Sequence, residues 1–113
     1  MSNLTMQPVA TTTKTAVSDT DKYTFVGFDG DICAAGAKAL GVNQVTVEAG
    51  EAMPVTYLGI MPVIAAAAIA AGVEVESDAN GHAVTLSAGE SNGRALDAAS
   101  TAGDIIRIFV KAA

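Results

Sequence analysis

The sequence predicts a mainly β protein: a compact β-sandwich or small β-barrel with one short Ala-rich helix and an extended N-terminal arm. Three observations predict it. From residue 23 onward, short apolar runs are broken at close intervals by Gly and Asx turns, the texture of a sandwich or barrel. Asn80-Gly81 lies between two alternating runs, the strongest short-range hairpin signal a sequence offers. The last run, residues 104–110, sets Ile106, Ile108 and Val110 on one face and Arg107 on the other. A length of 113 residues suits one domain, read as residues 22–113, with residues 1–21 as the arm.

Each element has its own reason. The arm holds Thr5, Thr11, Thr12, Thr13 and Thr15 among isolated apolar residues (Leu4, Met6, Val9, Val17) without periodicity. It buries too little to order alone and reads as mobile in the free protein. Its β-branched residues suit a strand added to a partner's sheet edge; a terminus without a partner is the other reading. Residues 23–28 read as a strand closed by Asp29-Gly30-Asp31, and residues 45–48 as another before the turn Ala49-Gly50-Glu51. A third strand follows over 53–58, and Pro62 interrupts the sheet beyond it. Residues 65–71, good helix formers stopped by Gly72, are the one helical candidate, too short to stand without tertiary support. Residues 73–76 and 83–86 form the hairpin around Asn80-Gly81. Two segments echo each other, Lys38-Ala39-Leu40-Gly41 and Arg94-Ala95-Leu96-Asp97, each leading through a Gly turn to a strand.

Composition narrows the function. Half of the residues are apolar but only 4% aromatic, so the core is expected to use small, branched side chains. Twelve acidic against six basic residues, with Lys14, Lys22, Lys38, Arg94, Arg107 and Lys111 in no run, argue against a nucleic-acid partner. The uncharged stretch 52–73 is long enough to span a bilayer. Pro54, Gly59 and Pro62, with Glu51 and Glu74 at its flanks, count against that reading, so no membrane partner is expected. The N-terminus has neither the basic nor the apolar region of a secretory signal.

Chemistry is sparse. His82 is the single imidazole and follows a turn, without an identifiable nucleophile or orienting partner. Cys33 rules out an intrachain disulfide and reads as a small buried hydrophobe. Zinc would need more Cys and His than these two. Asp29-Gly30-Asp31 and Asp78-Ala79-Asn80 read as turns, since Gly89 stands where a calcium loop opened by Asp78 needs Glu. A lipoyl-type carrier needs Lys at its hairpin tip, and Asn80-Gly81 has none. No catalytic residue, cofactor or metal is therefore expected, and a structural or binding role is left.

The order of segments carries a resemblance. The ordered set comprises Gly27-Phe28-Asp29-Gly30, Ala39-Leu40-Gly41-Val42 and Val45 through Ala49-Gly50-Glu51. It continues with Ala68-Ile69-Ala70-Ala71-Gly72, Ser77-Asp78-Ala79-Asn80-Gly81-His82-Ala83-Val84 and Gly93-Arg94-Ala95-Leu96-Asp97-Ala98-Ala99-Ser100. It resembles the decoration, or capsid cement, proteins of tailed bacteriophages, over about residues 25–113. The arm matches by composition and position. The resemblance implies a non-enzymatic protein, made in the host cytoplasm, that binds the outer face of an assembled capsid and stabilises the lattice against internal DNA pressure. It implies the major capsid protein and further copies of the chain as partners, as trimers at threefold positions or as dimers. Sharing apolar surface such as 52–73 would steady so small a body. The arm would supply the capsid contact through Leu4, Met6, Pro8, Val9, Thr11, Thr12 and Thr13, by strand addition. Another β-rich virion or surface assembly module, in a tail or fibre, is the alternative.

Overall fold

Alternation and turn chemistry produce eight strands: β1 (Gln7–Thr15), β2 (Phe25–Val26), β3 (Gly41–Asn43), β4 (Ala52–Ile64), β5 (Glu74–Ser77), β6 (Ala83–Thr85), β7 (Gly93–Ala95) and β8 (Ile105–Lys111). The computed structural model describes residues 6–111. One antiparallel sheet runs in the order β2-β3-β4-β8-β7-β5-β6, with β1 added on β4. Its ends curl toward each other. The Phe25 N–H donates to Gly81 O at 2.7 Å, and Ala65 bridges Ala83. The result is a nearly closed barrel, the second of the two architectures expected.

The 13-residue strand β4 is the spine. Thr56 pairs with both Thr11 and Val42, and Ile60 with both Gln7 and Phe109. A strand residue has one partner per edge, so β1 covers one edge of β4 while β3 and β8 share the other. Met53, Val55, Met61 and Val63 point inward. They join Phe25, Val42, Val75, Ile106 and Ile108 in the fully buried interior, which is mostly aliphatic as the composition requires. Cys33 is buried in the larger cluster, while Met53 and Val55 pack in a smaller one with Ala16, Val26 and Val47. Asn92, also buried, accepts the Ala39 N–H at 2.8 Å and donates to Ala37 O at 3.2 Å, tying two loops together without stranding a polar atom.

Several expectations need correction. Residues 65–71 are not helical, and no helix occurs among the described residues. Their backbone donors are taken by other strands and loops: Ala66 N–H by Ala83 O, Ile69 N–H by Ala99 O and Gly72 N–H by Ala95 O. Seven residues cannot nucleate a helix against such partners. Pro62 does not interrupt β4. It lies opposite Arg107, whose own N–H and C=O bond the Asp97 carboxylate and the Leu96 N–H, so the missing proline donor costs the ladder nothing. The strand expected at 45–48 lies earlier, at β3. Asn43 explains the shift: its side chain bonds both the N–H and the C=O of Val45 and turns the chain away. The strand expected over 23–28 shrinks to Phe25–Val26, preceded by Tyr23 at a φ of 66°.

The hairpin and the last strand form as the sequence requires. Ser77 pairs with Ala83 across a turn in which Asp78 Oδ1 accepts the N–H groups of Asn80 and His82. No helix among the described residues is long and apolar enough to cross a membrane; residues 52–64 of the uncharged stretch are β4.

Candidate functional site

The segment expected to be mobile is strand β1, paired with β4 from Gln7↔Ile60 to Thr15↔Ala52. Two register shifts mark the pairing: Val9 has no partner on β4, and Tyr57 none on β1. Beside the first shift Gly59, opposite Pro8 and at a φ of 132°, lets the strands close up; a Cβ there would stand 2.6 Å from Gln7 O and Val9 N. Gln44 reaches across β4 and donates to Thr56 Oγ1 at 2.6 Å and Thr11 Oγ1 at 3.3 Å. Among the described residues β1 pairs with no other strand, so its second edge is open up to Thr15, whose O lies against Gly30.

The predicted contact residues fall along this strand. Leu4 lies outside the described residues. Met6 precedes β1 and is exposed, as are Pro8 and Val9. Thr11 and Thr13 also face solvent, while Thr12 is half-buried opposite Val55. They form one linear edge.

Beside that edge the outer face of the sheet is apolar. Gln7, Ile60, Phe109, Arg94 and Glu74 stand opposite one another in a row across five strands. Val9, Leu58, Ile60 and Phe109 line an open groove of about 570 Å³. Sequence reasoning named Val9 as a capsid contact and offered 52–73, which holds Leu58 and Ile60, as surface shared between copies; Phe109 it did not name. The signal was present in β8: if Ile106, Ile108 and Val110 point inward, Ile105 and Phe109 must point out.

Ionisable groups are engaged in structure. Arg107 grips Asp97 through two 2.9 Å hydrogen bonds, and this guanidinium holds the Asp97 carboxyl below the ordinary carboxylate range. The Ser18 hydroxyl and Ile32 N–H do the same for Asp31. Lys38 Nζ donates to Ser91 O at 2.6 Å and Lys111 O at 2.7 Å, and partial burial lowers its pKa. The Cys33 thiol is pushed up by burial. Asp29 accepts the Asp31 N–H, so both carboxylates of that turn serve the backbone. No cluster of metal-ligating side chains occurs among the described residues.

The sheet thus presents an open edge strand beside an exposed apolar face. The phage cement protein family matches residues 5–111. The chain belongs to that family. It is thus a structural protein of the bacteriophage virion, in agreement with the motif order. A solved structure described as the head fiber gp8.5 N base in bacteriophage phi29 has the same fold. Its TM-score is 0.76 at 19% identity, covering 92% of this chain and 95% of that one. A comparison with curated proteins gives no match.

Proposed function

We propose that this cement protein binds the outer surface of the assembled capsid through the open edge of β1 and stabilises the lattice against internal pressure, without catalysis. The open edge carries the reading. Nine residues of extended backbone, Thr-rich and exposed on alternate positions, offer main-chain hydrogen bonds to a strand of a capsid subunit. Met6, Pro8, Val9, Thr11, Thr12 and Thr13 lie along that contact, and Leu4 is counted with them. Each contact can be weak, because many copies act on one shell. Self-association as trimers, or dimers, belongs to the same reading, as does assembly from chains made in the host cytoplasm.

Reconstitution tests it. Purified protein is titrated onto expanded heads that lack it, and bound copies are counted after sedimentation. Saturation at a fixed ratio to capsid subunits, with raised resistance of the heads to heat, is the expected result. Binding at a tail or single vertex would favour the fibre alternative. The variant Thr11→Lys/Thr13→Lys should fold as the parent and bind poorly, since lysines on an edge are how natural sheets refuse added strands.

A further inference from the structure

Two of the four asparagines, Asn80 and Asn92, precede glycine. Asparagine is a thermally labile residue. It is most labile there, because a following glycine has no side chain to keep its backbone nitrogen from the asparagine amide carbon. In sequence the two pairs are alike; the fold separates them. Asn92 is 2% exposed. Its Oδ1 accepts the Ala39 N–H, its Nδ2 donates to Ala37 O, and its own N–H donates to Val75 O at 2.9 Å. Gly93 is paired with Val75 on one side and Val110 on the other. With both amide atoms pinned and the next residue inside the sheet, the Asn92 side chain cannot swing onto the Gly93 nitrogen.

Asn80 is exposed at the tip of the β5–β6 hairpin, and among the described residues its side-chain amide has no hydrogen-bond partner. Asp78 holds the turn: its Oδ1 accepts the N–H groups of Asn80 and His82, and its N–H donates to His82 O at 2.8 Å. The Gly81 N–H donates to Asp78 O at 3.2 Å, the longest bond of the turn. Gly81 itself is buried because it carries the seam of the barrel. Its O accepts the Phe25 N–H at 2.7 Å, and a Cβ on it would stand 2.8 Å from Phe25 O.

We propose that Asn80-Gly81 is a site of spontaneous covalent modification, deamidation through a cyclic imide, and that the modified turn loosens the barrel seam. Opening of the Gly81 N–H···Asp78 O bond starts it. The Gly81 nitrogen attacks Asn80 Cγ; the N–Cγ bond forms, the Cγ–Nδ2 bond breaks, and the Gly81 proton leaves with the amide nitrogen as ammonia. Water then opens the imide. Breaking the N–Cγ bond gives aspartate, and breaking the bond from the nitrogen to the main-chain carbonyl carbon gives isoaspartate. Nothing is oxidised or reduced, and either product carries a carboxylate where a neutral amide stood. Isoaspartate also adds one methylene to the main chain directly before Gly81, so Gly81 O can no longer sit under the Phe25 N–H while Asp78 holds His82.

The test treats the full chain with hydroxylamine, which cleaves the imide, once folded and once in denaturant; circular dichroism confirms the folded state, and fragments are identified by mass. The folded chain should be cut between residues 80 and 81 and left intact between 92 and 93, whereas the denatured chain should be cut at both. A folded chain uncut at 80 while the denatured chain is consumed overturns the proposal, and so does equal cutting at both positions. Asn80→Gln keeps the amide but needs a larger, slower-forming ring, and should abolish the cut in the folded protein; persistence of that cut overturns the assignment. If this variant fails to fold, the contrast between 80 and 92 in the parent decides alone. Incubation in mildly alkaline buffer tests the consequence. The isoaspartyl species, separated by anion exchange, should exchange its Phe25 N–H about tenfold faster than the parent, the worth of one hydrogen bond, with β8 unchanged. Unaltered Phe25 exchange in that species overturns the link to the seam.

Discussion

Asp97 and Arg107 show what a single pair contributes in this fold. The guanidinium fork takes both carboxylate oxygens, and the Arg107 N–H adds a third bond to Asp97. The folded protein therefore holds the Asp97 proton less tightly than the unfolded chain does. Protonation then favours unfolding: the stabilisation is complete above the ordinary carboxylate range and is lost as pH falls through the lower folded value. Asp31 works in the same direction through Ser18 and Ile32. Thermal unfolding midpoints should be flat from pH 7 to about 5 and drop below about pH 4. Asp97→Asn should flatten part of that drop, at a loss of about 1 kcal/mol or less near neutrality, since solvent reaches the pair. Unchanged acid sensitivity in Asp97→Asn would exclude the pair as a source.

Among the elements, β1 has the most distinctive attachment. Gly59 sits where β1 crosses closest, in a backbone conformation that side chains rarely adopt. Gly59→Ala should cost about 1–3 kcal/mol and loosen the strand selectively, which hydrogen exchange would report as lost protection in residues 7–15 with β8 still protected. Uniform loss across both strands would mean that β1 and the barrel open as one unit. This element also marks the limit of what was legible beforehand. Alternation located β8, and Asn80-Gly81 located the β5–β6 hairpin, because both signals are local. Thr-rich β1 has no apolar period, since it covers an edge rather than filling a core, so it read as a free arm. Residues 65–71 read as helix because propensity ignores Ala83, Ala99 and Asp104, the distant residues that capture their N–H groups. β7 spans three residues, too few for a period to register. That Phe109 joins Leu58 on one exposed apolar face was not legible for the same reason: the two are neighbours only through β4–β8 pairing.

At the scale of the molecule, the longest strands pair across wide separations in the chain: β1 meets β4, β4 meets β8, and β2 closes on the β5–β6 turn. Loops must close before such contacts repay their entropy. Refolding should therefore take milliseconds to seconds, as in other non-local β proteins, and stopped-flow dilution from denaturant measures it directly. Microsecond refolding would mean that local structure guides the chain.

The antiparallel strap of β1 on β4 also has a mechanical direction. Tension applied at residue 7 along the strand axis loads every rung from Gln7↔Ile60 to Thr15↔Ala52 at once, whereas a pull across the axis would peel the rungs singly from that end. A molecule anchored through this strap resists sliding far better than lifting. If the protein anchors on a capsid as proposed, tension that runs along β1 is the load that all the rungs share.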